Sequence, residues 1–157
     1  MNLKDIKVYH FFWITSILIL IIGIFKNSSI ENSTFDFNIH DTYFVISSLD
    51  LALLLSFLYF LNGFGYWFVQ KKLKRSLIKS LTLIHSIILI GGFVTYWIVY
   101  AYSELNTNKS FPLFDDYEII NKTLVIIFLL IVLIGIPVYI TNLLIGIIRK
   151  KNLPLTS

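Results

Sequence analysis

An all-α integral membrane fold, a four-helix bundle with its N-terminus and C-terminus in the cytoplasm, is what this sequence predicts. Only 14% of the 157 residues are charged and 57% are hydrophobic, whereas an ordinary soluble domain carries roughly 25% charged residues. A soluble fold of this length has too little interior to hide that much apolar surface. Four apolar runs reach the roughly 20 residues that a helix needs to cross a bilayer. The basic residues collect on one side of those runs, which sets their direction.

The first run, about residues 9–25, is preceded by Lys4 and Lys7 and has the length of a signal-peptide core. Phe25-Lys26-Asn27 offers no small-residue cleavage pattern, so a retained helix is expected. The other runs cover about 44–69, 81–102 and 119–148, all within a single transmembrane domain, 1–157. No run shows the two-residue alternation of a membrane β-strand, so each reads as helix. Gly63, Gly65, Gly91 and Gly92 permit close helix contact. Gly135 and Pro137 are expected to bend the fourth helix, because proline removes a hydrogen bond and crowds the preceding turn.

Ten of the thirteen basic residues fall on one side of this arrangement. They are Lys4 and Lys7, then Lys71, Lys72, Lys74, Arg75 and Lys79, then Arg149, Lys150 and Lys151. The positive-inside rule assigns that side to the cytoplasm. The opposite loops, residues 26–43 and 103–118, carry Glu31, Asp36, Asp41, Glu104, Asp115, Asp116 and Glu118. The expected location is therefore a cell inner (plasma) membrane, crossed several times, in a chain whose Lys-, Asn- and Ile-heavy composition reads as bacterial. The basic run 71–79 reads first as a topology signal and second as a site for anionic lipid. Sequons at Asn27, Asn32, Asn108 and Asn121 read as chance matches in polar loops. The charge distribution accounts for the net +4 without nucleic acid, and with no cysteine there is no thiolate metal site and no disulfide.

One segment carries a family resemblance: Asp36-Phe-Asn-Ile-His40-Asp41-Thr42-Tyr43-Phe44-Val45-Ile46. It resembles the run Asp-x-x-x-His-Asp-Thr-Tyr-x-Val-Val of subunit I of the haem-copper oxidases, the cytochrome c and quinol oxidase family, where it precedes a helix running from outside to inside. Asn27-Ser28-Ser29 is similar to the end of that family's ninth helix, with an insertion following here. Leu83-Ile84-His85 through Ile90-Gly91 is similar to the start of its eleventh. The resemblance implies a counterpart of helices nine to twelve, the C-terminal region of that subunit.

The departures imply a changed function. Where the family places two haem-ligating histidines after this run, the chain has Ser48 and Asp50, neither a usual axial ligand. The family's propionate-binding arginine pair also has no match, since Lys109 is the sole basic residue of loop 103–118. By ligand count, oxygen reduction by this chain alone is not expected. His40 and Asp41 correspond to the family's magnesium or manganese site, which a partner subunit completes, and Asp36 to a residue beside the haem propionates. Chemically, His40, Asp41 and Asp36 form a partial site for weak Mg, Mn or Zn binding at the outer face. The competing reading is that Asp41 and Thr42 cap the second helix while His40 packs or hydrogen-bonds.

Ionisable groups inside a span are costly and raise a functional question by default. Asp50 lies six residues after Phe44, ~9 Å along a helix that starts there. Lys122 enters the fourth span from the same side, so an intramembrane ion pair of Asp50 with Lys122 is expected. The alternative is that Lys122 snorkels outward and Asp50 is wetted or protonated. His10 and His85 begin the first and third spans from the cytoplasmic side and could ligate a b-type haem; the rival reading makes both ordinary structural residues.

The function expected from these features is non-catalytic, with no cofactor required and not that of an enzyme. The chain reads as a binding or accessory component of a membrane complex, respiratory in the sense the resemblance gives. Its partners are the lipid bilayer and another membrane protein or a second copy of itself. Two other classes stay open: a haem- or metal-binding electron-transfer module, and a small channel or transporter subunit.

Overall fold

In the computed structural model, the described residues are 7–29, 34–39, 42–106 and 118–149. Four helices are long and apolar enough to cross a membrane, covering Val8–Ser28, Ser48–Lys72, Lys79–Ser103 and Ile119–Ile148. The chain is thus all-α in its bulk, with one short β-hairpin added. It divides into two compact units, Met1–Phe68 and Val69–Ser157.

The first unit begins with α1, Val8–Ser29. Two antiparallel strands follow, β1 at Thr34–Ile39 and β2 at Thr42–Ser47, in the register Phe37↔Phe44 and Ile39↔Thr42. Helix α2 then runs over Ser48–Lys72, its last turn, Phe68–Lys72, being π-helical. The segment 34–47 was expected to be loop up to residue 43 and helix from Phe44. It is a hairpin because aromatic and β-branched residues recur through Thr34-Phe-Asp-Phe-Asn-Ile39 and Thr42-Tyr-Phe-Val-Ile46, which suits a pleated pair better than a helix.

The start of α2 is therefore a correction. Its N-cap is Ser47, whose Oγ accepts the backbone N–H of Asp50 at 3.1 Å. Thr42 lies in β2, paired with Ile39, and is not the cap. Asp50 stands in the first turn of α2, and the ~9 Å of depth counted from Phe44 does not apply. A carboxylate there faces the partial positive charge of the helix start.

Helices α1 and α2 pack antiparallel along two heptad-spaced seams. On α1 the buried positions include Tyr9, Phe12, Ser16, Ile19 and Gly23; on α2 they are Ala52, Ser56, Tyr59, Gly63 and Tyr66. Steps of three and four along both helices keep one stripe facing the partner. Gly23 abuts Ala52, and a Cβ at Gly23 would overlap the Ala52 methyl. One turn along α2, Ser16 Oγ meets Ser56 Oγ at 2.9 Å and Ser56 O at 2.8 Å. Further on, the Phe12 ring packs on Tyr59 and Tyr66, with centroids 6.2 and 5.7 Å away. Small residues let the backbones approach, and aromatics fill the layers between them.

The second unit contains α3, residues 79–106, and α4, residues 118–148. Each carries an internal π turn, Ile87–Gly91 in α3 and Ile131–Gly135 in α4. The π turn in α4 ends just before Pro137, whose missing N–H would have bonded to residue 133 inside that turn. The helix accommodates the proline by widening there. The two helices are antiparallel, with contacts stepping from Thr82–Asn142 through His85–Tyr139 to Gly92–Ile127.

Candidate functional site

Within the second unit, Asn142, Thr82 and Arg75 meet at one end, where α3 begins and α4 finishes. Asn142 is fully buried, at 0% exposure. Its Oδ1 accepts the backbone N–H of Ile78 at 3.0 Å, and its Nδ2 donates to Thr82 Oγ1 at 2.7 Å. Thr82 Oγ1 in turn donates to Ile78 O at 3.0 Å. Ile78 is the N-cap residue of α3 and offers no side-chain cap of its own. The start of α3 is thus satisfied by the amide of α4.

The opposite service runs the other way. Arg75, in the segment just before α3, donates from its guanidinium to Ile147 O and, at 2.7 Å, to Arg149 O. Those carbonyls belong to the end of α4, where a helix leaves acceptors open and favours a cation. The start of α3 is therefore completed by α4, and the end of α4 by the segment that leads into α3. Gly146 makes room for this junction, since a Cβ there would come within 2.9 Å of Val69 and 3.0 Å of Leu77.

His85 lies one turn further along α3, buried at 1% exposure, with its ring stacked 4.8 Å from that of Tyr139. In the first unit, His10 occupies the third position of α1, and its Nδ1 accepts the backbone N–H of Lys7 at 3.1 Å. That is the return half of a capping box, with imidazole in place of the usual carboxylate. The His10 ring also contacts Tyr9, with centroids 4.2 Å apart. Both histidines raised as haem ligands are thus engaged inside their own units.

The outer-face metal candidates fare differently. His40 and Asp41 lie outside the described residues. Asp36 falls in β1, with its backbone paired to Val45. Among the described residues, no three His, Asp or Glu side chains gather into a group that could hold a metal ion. Asp50 is in the first unit and Lys122 in the second turn of α4 in the second; both are exposed, and their ion pair stands as the sequence expectation. Beyond the polar end, α3 and α4 leave an apolar groove of about 420 Å³ between Ile87, Ile88, Gly91 and Gly92 on one side and Ile126 and Ile127 on the other.

The residues that sequence reasoning missed are Asn142 and Thr82. Asn142 has a visible signal, since a carboxamide in the apolar run 124–148 is expensive unless paired. Attention to ionisable groups alone passes over it. Chemically the cluster is a closed set of donors and acceptors that joins two helices. No protein-family model matches the chain, and neither a curated protein nor a solved structure does so.

Proposed function

We propose that this chain is a non-catalytic multi-pass membrane protein that works by association with another membrane protein. The observation that supports it is the uneven use of the helices. Two polar pairs inside the spans, Ser16 with Ser56 and Asn142 with Thr82, join helices within each unit. By contrast α4, the longest span at 30 residues, has only 6% of its most apolar window buried, against 33% for α1 and for α2. Val125, Phe128 and Leu133 all stand more than half exposed. Such a face is open to lipid or to the apolar span of another membrane protein, and the association reading assigns part of it to a protein. A respiratory complex is the partner class that the resemblance at residues 36–46 suggests.

The test is a photo-crosslinking residue at Phe128 or Leu133, activated in native membranes. A discrete protein adduct at α4, lost when the residue is moved to a buried position, is the expected result. Adducts with lipid alone would overturn the association reading.

The haem reading draws on His10 and His85. The Lys7 N–H bond to His10 Nδ1 and the stacking of His85 on Tyr139 give each ring a structural contact within its own unit. Elemental analysis of the protein in mild detergent provides the check. The association reading expects no stoichiometric iron; iron at one per chain would put His10 and His85 at the centre instead. Manganese or zinc that disappears in His40→Ala would establish the outer-face site.

A further inference from the structure

The end of the second unit that holds the Arg75 junction also gathers positive charge. Lys71, Lys72, Lys74 and Lys79 are exposed there, and so is Arg149. Arg75 is occupied with the carbonyls of Ile147 and Arg149. No acidic residue occurs anywhere in 69–103 or 119–149. Along α3 the nearest acid to Lys79 is Glu104, 25 residues on and ~37 Å away as helix, several screening lengths at physiological salt. Among the described residues, the second unit therefore supplies no acidic side chain at this end.

The segment is also held in place. Arg75 N–H donates to Val69 O at 3.1 Å, its guanidinium grips the end of α4, and Ile78 N–H is bound by Asn142. The lysines are thus displayed from a fixed turn. Lys74 sits in the left-handed region, at φ 53°, where glycine or asparagine would relax the backbone. The whole group lies at the ends of apolar spans, and in a chain seated across a bilayer such ends meet the headgroups.

We propose that this basic end of the second unit binds the phosphate-bearing headgroups of anionic phospholipids. The inference rests on the chain being seated in a bilayer and is independent of association through α4. Four lysines held within nine residues attract the negative surface of a membrane, each by roughly fivefold in affinity. Zwitterionic lipids, which carry a compensating cation, gain little from the same charges.

The experiment is a titration of the full chain in mild detergent, following the anisotropy of fluorescent phosphatidylglycerol. Unlabelled phosphatidylglycerol should displace the probe at least tenfold better than phosphatidylcholine in 0.1 M salt, and the difference should shrink to twofold or less in 1 M salt. The quadruple variant Lys71→Gln, Lys72→Gln, Lys74→Gln, Lys79→Gln should lose the preference, while Lys122→Gln, near the other end of α4, should keep it. Equal displacement by the two lipids in the unaltered chain would overturn the proposal, whatever becomes of the variants. So would a preference that survives the quadruple change, or inorganic phosphate displacing the probe as well as the lipid does. The crosslinking from α4 is read separately, so either result can fail without the other.

Discussion

Asn142 has both ends of its amide committed, and each bond has a different consequence when removed. Asn142→Leu keeps the volume close but strands the Ile78 N–H at the start of α3 and leaves Thr82 Oγ1 without its donor. An unsatisfied buried group costs about 1–3 kcal/mol. Measured as thermal unfolding in detergent, Asn142→Leu should therefore destabilise clearly. Thr82→Val should cost less, because it strands the Asn142 Nδ2 donor but leaves the Ile78 N–H bonded to Asn142 Oδ1. Combined, the two should fall short of additivity by roughly 0.6 kcal/mol, the mean for interhelical hydrogen bonds in a membrane protein. Full additivity would mean that the two side chains do not depend on one another. The pair was not legible from charge because neither residue is ionisable. It was legible from cost, since buried amides need partners.

Helix α2 shows how an element boundary is decided by its cap more than by its hydropathy. Phe44, Val45 and Ile46 are as apolar as the helix that follows, so a hydropathy reading starts the span there. The pattern Ser47-x-x-Asp50, with Ser47 accepting from Asp50 N–H, is the local signal that marks the true start. Ser47→Ala should cost about 1 kcal/mol of stability, while Thr42→Val should leave α2 unchanged, because valine suits a strand as well as threonine does. Equal losses for both, followed by thermal melting and helical circular dichroism, would restore the earlier boundary. The four helices themselves were readable because bilayer-length apolar runs have few other outcomes. The hairpin was not, because its alternation sits in fourteen residues beside a much stronger apolar signal. Of the outer-face candidates, His40 and Asp41 lie outside the described residues and Asp36 lies in β1.

Taken whole, the chain makes a prediction about direction that its lack of cysteine makes simple to test. Single cysteines can be introduced without removing any others. If the basic ends face the cytoplasm, a membrane-impermeant maleimide applied to intact cells should label Asn108→Cys and spare Ser76→Cys. Inverted cells or vesicles should reverse the pattern. Labelling of Ser76→Cys from outside would turn the orientation over, and with it the leaflet that meets Lys71–Lys79, although not the headgroup chemistry.

The mutual completion of α3 and α4 also has a consequence for how the protein is made. Thr82 and Asn142 are 60 residues apart in sequence. At roughly 5–20 residues per second, the ribosome delivers the start of the third span several seconds before the amide that will satisfy it. During that interval the Ile78 N–H has only water or lipid headgroups to turn to, and the Arg75 guanidinium has no carbonyls to hold. A nascent chain halted before residue 142 would therefore expose both the open helix start and a free arginine at the membrane surface. The α3–α4 pair gains these bonds only once residues 142–149 have been made, so chains truncated before Asn142 should be removed by quality control more readily than chains truncated after Arg149.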